Sequence, residues 1–207
     1  MFYKNQPEKN KVMYKRFLNA AAYLGHLTSP SSVTPRIDPT ISEEIFCRSF
    51  QAENLGRKDI TIDSYKPNDG IGVKTFTGSP QQKIAQFKSV KKYPLPKNPI
   101  DIAKAISNYR NKRLKQDYNT FNLERMIYHS IYRNKNQEII LYEQSMNMID
   151  IKKIKLLNVK NDSIIKFTDS YNKYSFSKSD SQLSLRFDLS SPVDRFNFTL
   201  RKADLDY

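Results

Sequence analysis

Four of the five glycines in this 207-residue chain fall between positions 56 and 78: Gly56, Gly70, Gly72 and Gly78. Glycine concentrates where a backbone turns sharply or is approached closely, because it alone lacks a Cβ. Tight backbone geometry is therefore expected within those 23 residues. Residues 59–65 alternate polar and apolar in strand fashion, with Ile60 and Ile62 on one face and Asp59, Thr61 and Asp63 on the other. Lys66-Pro-Asn-Asp-Gly70 reads as a turn, and Ile71 to Phe76 as the returning strand.

Around this hairpin the hydrophobic period changes. Met13, Phe17, Ala20, Ala21 and Leu24 form a helical stripe over 11–27. The proline- and hydroxyl-rich stretch 28–40 predicts a loop, after which Ser42 caps a helix running to about Phe50. A further helix is expected over 80–89. Another follows the cap pair Asn98-Pro99, with Ile102, Ala105, Ile106 and Tyr109 on one face. The second half reads as strands near 125–132, 137–143, 164–167, 174–176, 183–189 and 195–201. The expected fold class is α/β, a central mixed β-sheet flanked by helices with a strand-rich C-terminal part. We expect one domain over 1–207, with a helical part at 1–40, a core at 41–145 and a strand-rich part at 146–207.

Charge narrows the partners. The chain carries 35 Lys and Arg against 21 Asp and Glu, a net +14. Ten of those cations and one acid, Asp101, lie between Lys83 and Lys115. Clustered cations suit phosphates, so nucleic acid ranks ahead of a membrane surface. Backbone contacts are expected from Gln82, Lys83, Lys88, Lys91, Lys92, Lys104, Arg110, Lys112 and Arg113, the last three projecting outward from their helix. The single cysteine, Cys47, excludes an internal disulfide and reads as a core residue. Of the two histidines, His26 flanks the end of the first helix and His129 is assigned to packing. No run approaches the roughly 20 apolar residues of a membrane span, and Met1–Asn10 lacks the apolar stretch of a secretory signal. The expected setting is the cytoplasm.

The order of acids and lysine suggests hydrolytic chemistry. Glu43 and Glu44 lie on a helix, Asp59 and Asp63 share a strand face, and Lys74 lies on the return strand. Carboxylates can hold Mg2+, which offsets charge developing on a phosphate and lowers the pKa of an attacking water. A lysine beside that phosphate can orient the water or stabilise the pentavalent state. The carbonyl of Val73 is a further oxygen ligand candidate. Helical phase puts Glu43 on the apolar side with Phe46, Cys47 and Phe50, and Glu44 toward solvent, which favours Glu43 as the ligand.

Residues 42–88 resemble the core of the PD-(D/E)XK nuclease superfamily, and most of all type II restriction endonucleases. The resemblance rests on Ser42-Glu-Glu-Ile-Phe-Cys-Arg-Ser-Phe50, on Glu53 through Asp63, and on Gly70-Ile-Gly-Val-Lys-Thr-Phe76. Ile165–Asp169 and Tyr174–Asp180 resemble such enzymes more loosely. It implies a restriction endonuclease-like core in which Asp63 or Asp59 binds Mg2+, Glu43 or Glu44 completes the site and Lys74 assists water attack. It also implies cleavage of double-stranded DNA at a specific site, a homodimer, and no small-molecule cofactor. The family pattern has an acid two residues before the lysine, where this chain has Gly72. Either another acid replaces it in space, or one metal suffices, or the fold only binds nucleic acid. The rival readings are a non-catalytic basic nucleic-acid-binding protein and a nuclease for RNA or branched DNA.

Overall fold

A computed structural model describes residues 1–32, 34, 36–56, 60–87, 96–160 and 163–197. Along the chain its first elements are α1 (Glu8–Thr28), α2 (Pro39–Phe50), β1 (Glu53–Asn54), β2 (Ser64–Lys66), β3 (Asp69–Thr77), β4 (Gln81–Gln86) and α3 (Pro99–Thr120). There follow β5 (Arg125–Arg133), β6 (Glu138–Ser145), β7 (Lys155–Lys160), β8 (Ile164–Thr168), β9 (Lys173–Ser177), β10 (Gln182–Arg186) and β11 (Asp194–Asn197). The class is α/β, as expected. The chain divides into two compact units, interleaved in sequence: Met1–Ser79, Leu123–Met146 and Asp188–Tyr207 form the first, Pro80–Asn122 and Asn147–Phe187 the second.

The first unit is a mixed six-stranded sheet in the order β1-β2-β3-β5-β6-β11. Its one parallel pair is β3 with β5, which runs in unbroken register from Asp69 opposite Arg125 to Thr77 opposite Arg133. A parallel pair needs a long crossover, and here the chain leaves after β3 and builds β4 and α3 before returning as β5. Gly78, with φ +66, makes the exit turn. Helices α1 and α2 supply Tyr14, Leu18, Phe46 and Phe50 to a core shared with Ile71, Val73, Ile127 and Ile131 of the sheet. The Phe46 ring lies 4.9 Å from Phe50 and 5.4 Å from Phe2.

The buried stripe of α1 is Asn10, Tyr14, Leu18 and Ala22, one residue out of phase with the expected Met13–Leu24 stripe. Phe17 and Leu24 are exposed. Tyr14 decides the phase because its polar end is satisfied inside: its hydroxyl lies 3.0 Å from His129 Nε2. His129 Nδ1 is 3.2 Å from Glu143 Oε1, which also accepts the Tyr3 N–H at 2.9 Å. A carboxylate oxygen facing Nδ1 requires the proton there, so Nε2 accepts from Tyr14. Burial pushes the Tyr14 phenol well above its usual pKa, which keeps that donor protonated. His129 is thus buried, as expected of a packing residue, with both ring nitrogens partnered.

The second unit is a five-stranded antiparallel sheet in the order β4-β10-β9-β8-β7. Ile165, Phe167, Tyr174, Phe176, Leu183 and Leu185 point to one face and are buried. Phe87 meets Phe176 at 6.1 Å and Tyr109 of α3 at 5.3 Å, and α3 also contacts β7 and β8, so α3 covers this apolar face. Asn98 caps α3 as expected, accepting the Ile100 N–H at 3.1 Å.

Several expectations need correction. Residues 80–89 do not start a helix; Gln81–Gln86 is β4, paired with β10 from Gln86–Gln182 to Gln81–Arg186. The Gln, Lys and Ala there suit helices, but a cross-strand partner outweighs weak local propensity. Helix α2 begins at Pro39, not after Ser42: Asp38 accepts the Thr40 N–H at 2.9 Å, and proline suits the first helical position. The expected strand over 59–65 reduces to Ser64–Lys66, and that over 183–189 ends at Arg186. The strand β7 was not foreseen. The strand expected over 195–201 is seen as Asp194–Asn197, and its remainder lies outside the described residues.

Gly25 of α1 faces the Arg36 backbone so closely that a Cβ there would lie 1.8 Å from the Arg36 carbonyl oxygen. Gly25→Ala is therefore expected to destabilise the protein by about 1–3 kcal/mol through overpacking. Thermal denaturation reads this as a fall in Tm of several degrees, and an unchanged Tm would contradict it.

Candidate functional site

The site is built at the edge of β3 beyond the short β2. Strand β2 pairs with β3 only from Ser64–Ile71 to Lys66–Asp69. One residue before β2, the Asp63 N–H still donates to the Ile71 carbonyl at 2.9 Å, and the Asp63 carbonyl accepts from Leu55 N at 2.9 Å. The Asp63 backbone is thus held from both sides. Strand carbonyls two residues apart point the same way, so the Val73 carbonyl emerges on the edge that Ile71 uses. Lys74 Nζ lies 2.7 Å from Asp63 Oδ2 and 3.1 Å from the Val73 oxygen. The two side chains are about equally half-buried, at 23% and 21% exposure.

Glu43 completes the group from α2. Its carboxyl is pushed up to about 7, first by burial and then by the negative charge of Asp63; Lys74 acts in the opposite sense and Asp38 adds to the rise. Glu43 is therefore a partly desolvated carboxylate beside a second one. Gly56 makes room for it: a Cβ there would lie 2.4 Å from Glu43 Oε2. Asn54 shapes the same turn, accepting the Gly56 N–H at 3.0 Å through its side chain. Glu44, the other helix candidate, is held by other partners: it accepts from Arg48 Nε at 2.7 Å and from Asn54 Nδ2 at 3.1 Å. Glu43, Glu44, Asn54 and Gly56 line an open cleft of about 1040 Å³, which does not include Asp63 or Lys74.

The structure brings together Glu43, Asp63, Lys74 and the Val73 carbonyl, and turns Glu44 to a different partner set. Asp59, Lys88, Lys91 and Lys92 lie outside the described residues. Among the described residues no three His, Cys, Asp or Glu side chains form a metal-sized cluster. Among the described residues the oxygen set at this edge is two carboxylates and a carbonyl.

At Gly72 an added Cβ would stand 2.8 Å from Met146 Cε and 3.0 Å from Tyr128 Cδ1. Tyr128 therefore crowds this position, and the Met146 methyl would have to swing aside for any side chain there. The expected nucleic-acid contacts also change. Lys104 and Lys112 are exposed on α3, but Arg110 is 3% exposed and donates to the Asn147 carbonyl at 3.0 Å, so it does not project outward. Arg113 is half-buried. Gln82 pairs opposite Leu185, on the apolar face of its sheet, whereas Lys83 pairs opposite Ser184 on the polar face. Cys47 is buried in the core as expected, and burial pushes its thiol up to about 12. Sequence reasoning missed Asn54 and the part played by Gly56, although the glycine cluster marked that turn.

Two outcomes follow for folding in the absence of metal. Glu43 has a folded pKa of about 7 against an ordinary 4.5, so its ionisation destabilises the native state as pH rises through that interval. Glu43→Gln should match the wild-type Tm near pH 4 and exceed it increasingly up to pH 8; equal Tm values at pH 8 would refute the assignment. Gly72→Glu, which puts an acid two residues before Lys74, should cost about 1–3 kcal/mol because Tyr128 and Met146 crowd the added side chain, read as a lower Tm at every pH. No family model, curated protein or solved structure matches this chain.

Proposed function

We propose that the edge of β3 is the hydrolytic centre of a Mg2+-dependent endonuclease of the PD-(D/E)XK kind, cutting double-stranded DNA in the manner of a restriction enzyme. The observation that carries this reading is the convergence of Lys74 Nζ on Asp63 Oδ2 and the Val73 carbonyl, with Glu43 coupled to both side chains. A cation already sits against the oxygens that a metal would use.

The donor set fits Mg2+. The ion takes hard oxygen ligands and is commonly held by one or two carboxylates with waters completing its shell. Glu43 ionises reluctantly beside Asp63, a penalty that a bound divalent cation would offset. Because Gly56 lacks a Cβ, Glu43 Oε2 can lie close against its turn. Asp63, Glu43 and the Val73 carbonyl would hold the ion. When bound, Mg2+ supplies Lewis acidity at a phosphate oxygen and lowers the pKa of its water.

The chain's own groups do the rest. Asp63 is fixed by its two backbone hydrogen bonds, so its carboxylate keeps its place as a ligand. Lys74 lies beside it and can turn its Nζ to a phosphate oxygen, where it stabilises the added negative charge, or to the attacking water, which it orients. Glu43 supplies the second carboxylate that Gly72 does not. Cleavage of both strands at a symmetric site would call for two copies of the chain, hence a homodimer. A non-catalytic DNA-binding protein is the second reading, favoured by the crowding at Gly72.

Plasmid incubated with wild type in Mg2+ should yield discrete fragments, lost in EDTA. Asp63→Ala and Lys74→Ala should each reduce cleavage by about 10²-fold or more. DNA that is bound yet uncut by wild type in Mg2+ would sink the nuclease and leave the binding protein. As a readout apart from activity, millimolar Mg2+ should raise the wild-type Tm at pH 8 by binding the folded state, and should not raise that of Asp63→Ala.

A further inference from the structure

The two units divide the charge very unequally. Residues 80–122 and 147–187, the second unit, carry 18 Lys and Arg against 6 Asp and Glu, an excess of 12 out of the chain's 14. The remainder, which holds Glu43, Asp63 and Lys74, is close to neutral at 17 against 15.

We infer that the polar face of the five-stranded sheet is the main surface by which this protein grips double-stranded DNA. The register defines the face. One row crosses the whole sheet as Asn158, Lys166, Ser175, Ser184 and Lys83. On one side of it Lys155 pairs with Thr168 and Thr168 with Lys173, while Arg186 pairs with Gln81. No Asp or Glu occupies any of these positions.

Lys83, Lys155, Lys166, Lys173 and Arg186 are exposed, whereas Ser175 and Ser184 are buried between them. The face is therefore a low floor of short hydroxyl side chains flanked by long cations. Lys83 and Lys166 stand three strand spacings apart, about 14 Å. That is near the roughly 12 Å width of a duplex major groove, so the two lysines can meet phosphates on its opposite walls.

Stability does not explain the composition. Among the described residues the apolar side chains lie on the opposite face, where α3 packs, and the long cations of the polar face are exposed. Same-sign charges close together on a sheet repel, and an ordinary solvated face mixes both signs. An extended polyanion relieves that repulsion and gains from counterion release. The outward side of α3 also bears Lys104, Lys112 and Lys115, but Asp101 shares it one turn from Lys104. The choice of DNA as the polyanion rests on the proposed hydrolytic centre; the surface itself rests on the register.

The test uses the Asp63→Ala protein in EDTA, so that binding is read without cleavage, and a DNA duplex of about two helical turns followed by fluorescence anisotropy. Combined Lys83→Glu, Lys166→Glu, Lys173→Glu and Arg186→Glu should weaken binding at least about 10-fold. The slope of log K against log salt should flatten by about 0.9 for each phosphate that the variant no longer neutralises. Combined Lys104→Glu, Lys112→Glu and Lys115→Glu should weaken binding less. Should the glutamates abolish the thermal transition, the same four positions changed to Gln carry the test, with loss in the same order. Undiminished binding by the folded sheet variant, a larger loss from the α3 variant, tighter binding to an RNA duplex, or no DNA binding at all would overturn the inference. DNA held by this face yet uncut by wild type in Mg2+ would sink the nuclease and leave the surface standing. Cleavage by wild type with undiminished binding by the sheet variant would do the reverse.

Discussion

The parallel pairing of β3 with β5 is the constraint on which the rest of the chain depends. Two parallel neighbours cannot be joined by a hairpin, so the chain must leave the sheet after Thr77 and return before Arg125. Those intervening residues build β4 and α3. A second excursion between β6 and β11 supplies β7 to β10, and the two together make a unit with its own apolar layer. Nine consecutive paired positions along β3 also hold its backbone in place, while among the described residues β2 pairs with its other edge only over Asp69–Ile71.

That edge is where the chemistry-bearing groups meet. Strand β2 stops after three residues, and the hydrogen bond from Asp63 N to Ile71 O places Asp63 near the Val73 carbonyl, which accepts from Lys74 Nζ. A longer β2 would have paired that carbonyl and closed the space that Lys74 now enters. The turn at Asn54–Gly56 serves both carboxylates, through Leu55 N on the Asp63 carbonyl and through the missing Cβ beside Glu43. On the far side of β3 from this edge, Tyr128 and Met146 crowd Gly72. The site therefore draws its second carboxylate from a helix and its first from a strand edge.

Much of this was legible in the sequence, and unevenly. The glycine cluster marked the hairpin and the turn at 56. The helical phase of Glu43 against Phe46 and Phe50 distinguished it from Glu44, alternation marked β10, and strand-like runs marked β5, β6, β8 and β9. Misreadings arose where a partner far along the chain decided the outcome. Gln81–Gln86 reads as well for a helix as for a strand until Gln182–Arg186 lies beside it. The α1 stripe was misphased because Tyr14 carries a hydroxyl, and only His129 Nε2 makes its burial favourable. Arg110 looked like a surface cation on its helix, yet the Asn147 carbonyl, 37 residues on, accepts its guanidinium in the interior.

The sequence by itself determined the composition of the parts: an α/β chain, one acid–glycine–lysine hairpin and a surplus of 14 positive charges. These follow from local rules, since turn chemistry, side-chain period and charge count need no distant partner. Only the tertiary structure decided that Lys74 meets Asp63, that Tyr128 and Met146 crowd Gly72, and that 12 of the 14 charges belong to one unit. The physical reason is that each of these depends on strand pairing across long stretches of chain. Register then converts positions far apart in sequence into neighbours on one face or one edge, which residue spacing alone does not encode.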